Sequence, residues 1–338
     1  MIFDLLLRTD ALEWFGLHEW MQRASCLKVP DVLPQLRDPV STGGENAMIL
    51  GQFTNSLGII RRSAHTNRGL ALLRHLGWQC RKLLRPRPIH RRLSRSVIVD
   101  DEGGGVISMV NMLGRYDFNN MHFVQTVLTC DPTPVFVDVG ANIGAYTLIA
   151  SEVPAAVVVS LEPIPATFAK LLNNIAVNRR PNVHALNVAA SGRPGRLQMT
   201  SSTDSATNHV VPTDGPDAAT VSVKVDTLDK ICSRLGVMPS LIKIDVEGHE
   251  PEVLAGAVAC LAACQAYLIE NGDRAAIVSF MRKQGMTGPL YYHHDKAALL
   301  GDPQRLAEDH IYINRNFVAK TPTIQVTPPI QVRVPARV

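Results

Sequence analysis

The sequence contains no apolar run close to the roughly twenty residues that a membrane-spanning helix needs. Its beginning carries Asp4 and Asp10 and only a short apolar patch, which does not resemble a secretory signal. The six cysteines are scattered and form no Cys-x-x-Cys pair, a pattern that favours a reducing compartment. We therefore expect a cytoplasmic protein.

Acidic residues are absent between Glu45 and Asp100, although the net charge of the whole chain is only +4. Eleven lysines and arginines lie from Arg61 to Arg95, so the remaining residues together carry a negative charge. No aromatic interleaving accompanies these basic residues, and we expect no binding to nucleic acid. The basic surplus is thus a local property of residues 61–95.

Leucines within this basic stretch follow a helical spacing, at Leu70, Leu73 and Leu76, and Pro86 is expected to end the helix. Such a basic amphipathic helix can pack its leucines on the main domain. It can also make peripheral contact with an anionic membrane surface or an acidic partner. The sequence leaves these alternatives open. It predicts a largely helical, basic extension over residues 1–95.

The most informative stretch runs from Val135 to Ala150. Apolar residues around Asp138 predict a buried strand, and Gly140 and Gly144 predict a tight turn that leads into a helix. The turn is Gly-x-Asn-x-Gly, with Asn142 at its centre, and not the Gly-x-Gly-x-x-Gly of dinucleotide enzymes. This difference favours a ligand with a carboxylate and a ribose over a pyrophosphate, and disfavours an NAD-dependent oxidoreductase.

A second apolar strand, 157–161, is followed directly by Glu162. A carboxylate at this point, about twenty residues past the glycine turn, suits hydrogen bonding to ribose hydroxyls. The alternative is an α/β domain whose glycine turn merely packs closely. The order of the two signals favours nucleoside binding.

Strands and helices alternate through the core, which predicts an α/β fold with a mainly parallel, Rossmann-like sheet and helices on both faces. The expected elements are a β-hairpin within residues 96–112 (Val97, Val99, Val106 and Ile107), strands 135–139, 157–161, 183–188, 221–225, 241–245 and 266–269, helices 144–151, 165–178 and 251–263, a further helix and a closing hairpin. We expect the core domain to span residues 96–318, a polar insertion to occupy 201–219, and the tail 319–338 to be extended or disordered.

A second dense motif runs from Leu241 to Ala257. A buried strand leads to Asp245, a turn forms at Gly248, and Glu247 and His249 gather beside Asp245 at the carboxyl edge of the sheet. His249 is the first candidate for a general base, because imidazole titrates near neutral pH. The alternative is a turn histidine that caps the following helix. The three side chains could also bind a divalent cation, but we expect no metal.

These motifs resemble those of the FkbM-type S-adenosylmethionine-dependent methyltransferases. The matching stretches are Val137–Gly144, Glu162-Pro163, Asn174 with Asn178, Asn187–Ser191, Val225–Asp229 and Ile242–Glu250, with Gly114–Asp117 just upstream. The resemblance covers residues 96–318 and leaves residues 1–95 outside. It is specific for the family and not for a substrate.

The resemblance implies a seven-stranded class I methyltransferase sheet and methyl transfer to a hydroxyl, often on a sugar or natural product. S-adenosylmethionine would be the cofactor. The implied cofactor residues are Asp138, Gly140, Asn142 and Gly144 in the turn, Glu162 for the ribose, and Ala189 and Ala190 at the adenine. Asp245, Glu247 and His249 are the candidate catalytic residues. A methyltransferase-like binding module without turnover is the alternative function.

Overall fold

The computed structural model describes residues 68–83, 88–101, 105–115, 117–200, 209–210, 220–301 and 309–327. The chain divides into two compact units, Met1–Gly77 and Trp78–Val338. Of the first unit the structure describes residues 68–77, which begin helix α1 (Arg68–Leu83). This helix confirms the prediction made from the leucine spacing. Among the described residues no helix is both long enough and apolar enough to cross a membrane.

The described strands are β1 (Ile89–Leu93), β2 (Ser96–Asp100), β3 (Val135–Val139), β4 (Val157–Leu161), β5 (Val183–Leu186), β6 (Ala189–Ala190), β7 (Gly195–Thr200), β8 (Thr220–Asp226), β9 (Leu241–Ile244), β10 (Ala266–Glu270), β11 (Thr287–His293), β12 (Ala298–Leu300), β13 (Asp309–Ile313) and β14 (Gln325–Thr327). The described helices after α1 are α2 (Gly105–Leu113), α3 (Phe118–Cys130), α4 (Ala145–Ser151), α5 (Pro165–Val177), α6 (Leu228–Leu235), α7 (Glu250–Ala255), α8 (Val258–Ala263), α9 (Ala275–Lys283) and α10 (Phe317–Lys320), with a 3₁₀ turn at His294–Lys296.

The main sheet of the second unit has the order β14-β12-β11-β13-β10-β9-β3-β4-β5. The five strands on one side of the sheet, β5, β4, β3, β9 and β10, are parallel, and β13 pairs antiparallel with both β10 and β11. Seven neighbouring strands, in the spatial order β5, β4, β3, β9, β10, β13 and β11, make the predicted Rossmann-like sheet. Strands β12 and β14 extend it beyond β11. The α/β fold class is therefore confirmed.

Side chains of the central strands alternate between two apolar cores. Phe136 and Val158 belong to one core, while Val137 and Val159 belong to the other. Because successive strand residues point to opposite faces, near-continuous apolar strands are buried on both sides. Helices α3 and α4 supply the first core, and α6, α7, α8 and α9 supply the second. The chain order reverses at β3, which lies between β4 and β9, and the carboxyl edge there is where open α/β sheets bind ligands.

The prediction of a hairpin within residues 96–112 is wrong about the partner of the strand at 96–100. Strand β2 pairs with β1, in register Leu93 with Ser96, and the predicted strand residues Val106 and Ile107 lie in helix α2. Polar His90, Arg91 and Arg92 separate the buried Ile89 and Leu93, so the short apolar pattern of β1 was hidden in the sequence. This strand belongs to the unit that begins at Trp78, not to a separate extension ending at residue 95.

The predicted helix 251–263 is divided into α7 and α8. At the break, a Cβ atom on Gly256 would lie 2.1 Å from the carbonyl oxygen of Ser191, so this close backbone contact requires glycine. The predicted strand 221–225 exists as β8 but lies in a separate three-stranded sheet with β6 and β7. In the tail, β14 pairs with β12 instead of being disordered, because its backbone completes the sheet edge. Residues 328–338, and most of the insertion 201–219, lie outside the described ranges.

Candidate active site

A cavity of about 210 Å³ opens at the carboxyl edge of the sheet, beside the point where the chain order reverses. Its lining includes four predicted cofactor residues, Asp138, Gly140, Asn142 and Glu162, and two predicted catalytic residues, Asp245 and Glu247. The structure therefore brings the two sequence motifs together. Gly144, Ala189, Ala190 and His249 are not part of this lining.

The glycine turn after β3 brings the backbone of the two motifs into contact. Gly140 has φ +81°, and a Cβ atom there would lie 1.9 Å from the carbonyl oxygen of Asp245. Gly144 begins helix α4 with φ +97°, and a Cβ there would lie 2.7 Å from a methyl group of Leu171. Asn142 takes the same left-handed region, with φ +51°. Both glycines are thus required by conformation and by space.

Asp138 is the penultimate residue of β3 and is almost completely buried, at 1% exposure. Its Oδ2 accepts a hydrogen bond of 2.7 Å from the hydroxyl of Thr147. Its Oδ1 is buried without a hydrogen-bond partner. Burial raises the pKa of Asp138, while the nearby Lys243 ammonium opposes that shift. A buried oxygen that lacks a donor, in a residue that lines a cavity, is a place for a ligand hydrogen-bond donor or cation.

Glu162 lies directly after β4 and is held by backbone amides. Its Oε2 accepts a hydrogen bond from the Asn142 amide at 3.0 Å, and its Oε1 accepts one from the Ile164 amide at 2.9 Å. Burial nevertheless raises its pKa to about 7. The glycine turn therefore positions this carboxyl group, and each of its oxygens retains a second lone pair for a donor on a ligand.

Lys243 and Glu270 complete the charged wall of the cavity, and the sequence analysis missed both. Lys243 is 3% exposed, and its Nζ lies 2.7 Å from Oδ2 of Asp245 and 4.9 Å from the ring centroid of Tyr146. Burial, together with the charges of Asp245 and Glu247, raises the pKa of Glu270 to about 8. The sequence offered two signals for these residues. Lys243 is a lysine inside an otherwise apolar strand, and Glu270 is a carboxylate at the end of the next strand.

Carboxylate oxygens of Asp245, Glu247 and Glu270 lie within 4.8 Å of one another. Burial and the neighbouring carboxylates raise the pKa of Glu247. The sequence predicted that Asp245, Glu247 and His249 gather at this edge of the sheet. The structure shows Glu270, and not His249, as the third side chain of the group. The Lys243 ammonium supplies a positive charge to this group.

His249 instead lies beside a smaller pocket that also contacts Ala189, Ala190 and Gly140. Its Nε2 is 2.9 Å from the Ser191 hydroxyl, and its Nδ1 is 3.6 Å from a carboxylate oxygen of Glu252. It occupies the N-cap position of α7, but its side chain makes no capping hydrogen bond. It therefore lies next to the predicted adenine residues and is not in the lining of the acidic cavity.

A glycine turn and an acidic cavity at the point where the strand order of an α/β sheet reverses are typical of a nucleoside-binding site. Residues 138–286 match the profile of the methyltransferase FkbM domain. This match confirms, over these residues, the resemblance to the FkbM methyltransferases that the motifs predicted.

Among curated proteins, the chain is similar to the hexuronic acid methyltransferase AglP of Haloferax volcanii. The two are 34% identical over 139 residues, which is 40% of this chain and 55% of that protein. The match thus spans only about half the length of the relative.

Solved structures similar to this chain include M. jannaschii TYW2 in complex with AdoMet, at 12% identity and a TM-score of 0.35, covering 68% of this chain and 84% of that one. Another is the precorrin-6y C5,15-methyltransferase of Geobacter metallireducens GS-15, at 14% identity and a TM-score of 0.33, covering 57% and 83%. Because these scores are low, the fold assignment depends on the observed strand order and not on these likenesses.

Proposed function

We propose that this protein is an S-adenosylmethionine-dependent methyltransferase that transfers a methyl group to a hydroxyl of a carbohydrate. The observation that carries the proposal is the junction of the two FkbM motifs at one cavity. There the Gly140 backbone lies against that of Asp245, and the carboxyl groups of Asp138 and Glu162 line the wall. The match of residues 138–286 to the methyltransferase FkbM domain supports the same activity.

The side chains present fit the charges and hydroxyls of this cofactor. The buried, unpartnered oxygen of Asp138 and the nearby Asp245 suit an ammonium or a sulfonium, both of which carry positive charge. Glu162 suits the ribose, because two backbone amides fix its orientation. The small pocket beside Ala189 and Ala190 is lined mainly by apolar side chains, which suits the adenine ring.

When bound, S-adenosylmethionine supplies a methyl group that is already activated for displacement, so the protein chiefly has to align the reacting atoms. We assign cofactor positioning to the glycine turn and to Glu162. Asp245 and Glu247 form the part of the wall where positive charge is stabilised. Lys243 holds Asp245 in place through the 2.7 Å contact.

We assign His249 to the adenine side of the site and not to proton abstraction. The Nε2 atom of His249 is hydrogen-bonded with the Ser191 hydroxyl, and its Nδ1 atom lies near the Glu252 carboxylate. His249 does not line the acidic cavity. His249→Ala is expected to weaken cofactor binding more than it lowers kcat. A large loss of kcat with unchanged cofactor affinity would restore His249 as the base.

The acceptor class is proposed from the similarity to a relative whose name specifies a hexuronic acid. A hydroxyl on a hexose or hexuronic acid is therefore the first choice of acceptor. The basic stretch 61–95 was predicted to contact either the main domain or an anionic surface or acidic partner. Leu70 and Leu73 on α1 are 45% and 42% exposed, and contact with an anionic surface remains a prediction for this stretch.

Calorimetric titration of the full chain with S-adenosylmethionine and S-adenosylhomocysteine tests the proposal, with NAD as the comparison ligand. We expect micromolar binding of the first two and none of NAD. Asp138→Asn and Glu162→Gln should each weaken binding by about tenfold or more, whereas the exposed control Asp273→Asn should not.

Methyl transfer is then measured with labelled S-adenosylmethionine and methyl glycosides of hexoses and hexuronic acids. Product formation supports the enzyme. Cofactor binding without product on any of these acceptors would favour the binding-module alternative. Absence of binding would refute the cofactor assignment itself.

A further inference from the structure

Glu270 stands at the carboxyl end of β10, one strand away from the end of β9. It lines the acidic cavity together with Asp245 and Tyr146. Its Oε2 is buried and has no hydrogen-bond partner. A buried carboxyl oxygen normally takes part in a hydrogen bond, here with a donor on a ligand or, when Glu270 is protonated, with the neighbouring Asp245 carboxylate.

Charged groups surround Glu270 on three elements. Asp245 and Glu247 follow β9, with Lys243 bonded to Asp245, and Glu250 begins α7. On the other side, Asp309 of β13 is its cross-strand partner. Burial and the neighbouring Asp117 raise the pKa of Asp309 well above its usual range.

These contacts distinguish Glu270 from the other carboxyl groups of the cavity wall. One carboxylate oxygen of Asp245 is already occupied by the Lys243 ammonium, at 2.7 Å. Glu247 is exposed on the turn. Glu270 combines a cavity position, an unpartnered oxygen and a pKa raised to about 8, close to the pH at which a general base is most effective.

We propose that Glu270 is the general base that removes the proton from the acceptor hydroxyl. The inference rests on the proposed methyl transfer. The acceptor oxygen forms a bond to the methyl carbon, and the carbon–sulfur bond breaks with both electrons remaining on sulfur. The hydroxyl proton moves to Oε2 of Glu270. The positive charge of the sulfonium is thereby cancelled, and the neutral carboxyl group later returns its proton to water.

The first test needs no acceptor. The side-chain carboxyl carbons of ¹³C-labelled glutamate are titrated by NMR in the full chain, and the Glu270 signal is assigned by its loss in Glu270→Gln. We expect its midpoint near pH 8 in the free protein. Adding S-adenosylmethionine should move the midpoint down, since a sulfonium favours the ionised carboxylate, whereas S-adenosylhomocysteine should move it less. An ordinary midpoint near pH 4.5 in all three states would overturn the proposal.

The second test compares kcat with cofactor affinity on a methyl glycoside acceptor. Glu270→Gln should lower kcat by about 100-fold or more and change the Kd of S-adenosylmethionine by less than about fivefold. The wild-type kcat should rise with pH to a midpoint at or below about 8, and this dependence should disappear in Glu270→Gln. The exposed control Asp273→Asn should behave as the wild type.

Two outcomes of these experiments contradict the assignment. If the pH dependence persists in Glu270→Gln, another group is the base. If a chelator abolishes turnover and a divalent cation restores it, the carboxyl groups act through a cation and not by proton removal. Failure of the proposed function is recognised separately, because the titration of Glu270 in the free protein is read without cofactor or acceptor.

Discussion

The backbone of Gly140 lies against that of Asp245, so closely that a Cβ atom at position 140 would stand 1.9 Å from the Asp245 carbonyl oxygen. The contact joins the ends of β3 and β9, which are neighbours in the sheet but are separated by about a hundred residues in the chain. This contact brings the glycine turn and Asp245 together in the lining of the cavity.

Gly140→Ala should therefore destabilise the domain and weaken cofactor binding together. The added methyl group meets backbone, and alanine is strained at φ +81°, so we expect a loss of at least about 2 kcal/mol of unfolding free energy. Urea denaturation measures the loss, and calorimetry measures the affinity. Gly195→Ala is the matched control, since a Cβ there meets nothing within 4 Å. Equal stability of the two variants would contradict the close packing.

Cofactor binding should depend on pH through Glu162. Its pKa is raised to about 7 by burial, so a large fraction is protonated at neutral pH in the free protein. A ribose needs the ionised, accepting carboxylate, and affinity should therefore rise between pH 6 and pH 8, with release of a proton on binding. Calorimetry in buffers of different ionisation enthalpy counts that proton. In Glu162→Gln both the proton release and the rise in affinity should be absent.

The Glu162 carboxyl group should also lower the unfolding free energy of the protein as the pH rises. Its folded pKa of about 7 lies above the ordinary value of 4.5, so the folded state binds the proton more tightly than the unfolded state does. Its contribution to stability is present below pH 4.5 and is lost as pH rises through 7. The unfolding free energy of Glu162→Gln relative to the wild type should thus increase between pH 5 and pH 8. A constant difference across this range would contradict the raised pKa.

Asn174 connects helix α5 to the first hairpin. Its Oδ1 accepts a hydrogen bond from the Val99 amide at 2.7 Å, and its Nδ2 donates to the carbonyl oxygens of Val99 and Ile143 at 3.0 and 2.8 Å. One turn later, Asn178 makes the same pair of bonds to the backbone of Val97. The two amides thus pair with alternate residues of β2 as a neighbouring strand would.

Asn174→Leu should leave these buried backbone groups without partners and lower the unfolding free energy by about 2–4 kcal/mol. Asn173→Leu is the control, because Asn173 is exposed on the same helix, and its change should stay within about 0.5 kcal/mol. Denaturant unfolding of both variants makes the comparison. Similar stability losses in the two would show that helix propensity, and not the amide pairing, is responsible.

Lys243→Met should destabilise the fold more at pH 8 than at pH 5. The substitution removes the ammonium that faces Asp245 at 2.7 Å and opposes the raised pKa of Asp138. Without this cation the pKa of Asp138 rises further, so the substitution costs about 3 kcal/mol when Asp138 is ionised and less when it is protonated. Thermal unfolding at the two pH values tests this, with exposed Lys224→Met as the control. A loss that does not depend on pH would indicate lost packing alone.

The sequence was sufficient to predict the α/β class, the strands β3 and β4, and the cavity positions of Asp138, Gly140, Asn142 and Glu162. These predictions rest on local information, since a buried parallel strand is continuously apolar and a left-handed turn selects glycine. Strand β1 was missed because three consecutive polar residues, His90, Arg91 and Arg92, separate its two buried apolar residues. The helix break at Gly256 was missed because the contact that requires it comes from Ser191, far away in the chain.

The sequence by itself determined which residues end each strand and which turns they enter, because strand period and glycine conformation are local properties. Only the tertiary structure decided which of those ends meet. It placed Glu270 beside Asp245, which the Lys243 ammonium contacts, and placed His249 against the Ser191 hydroxyl. The reason is physical: strand order and register set distances between residues remote in sequence, and burial among those neighbours sets their charge.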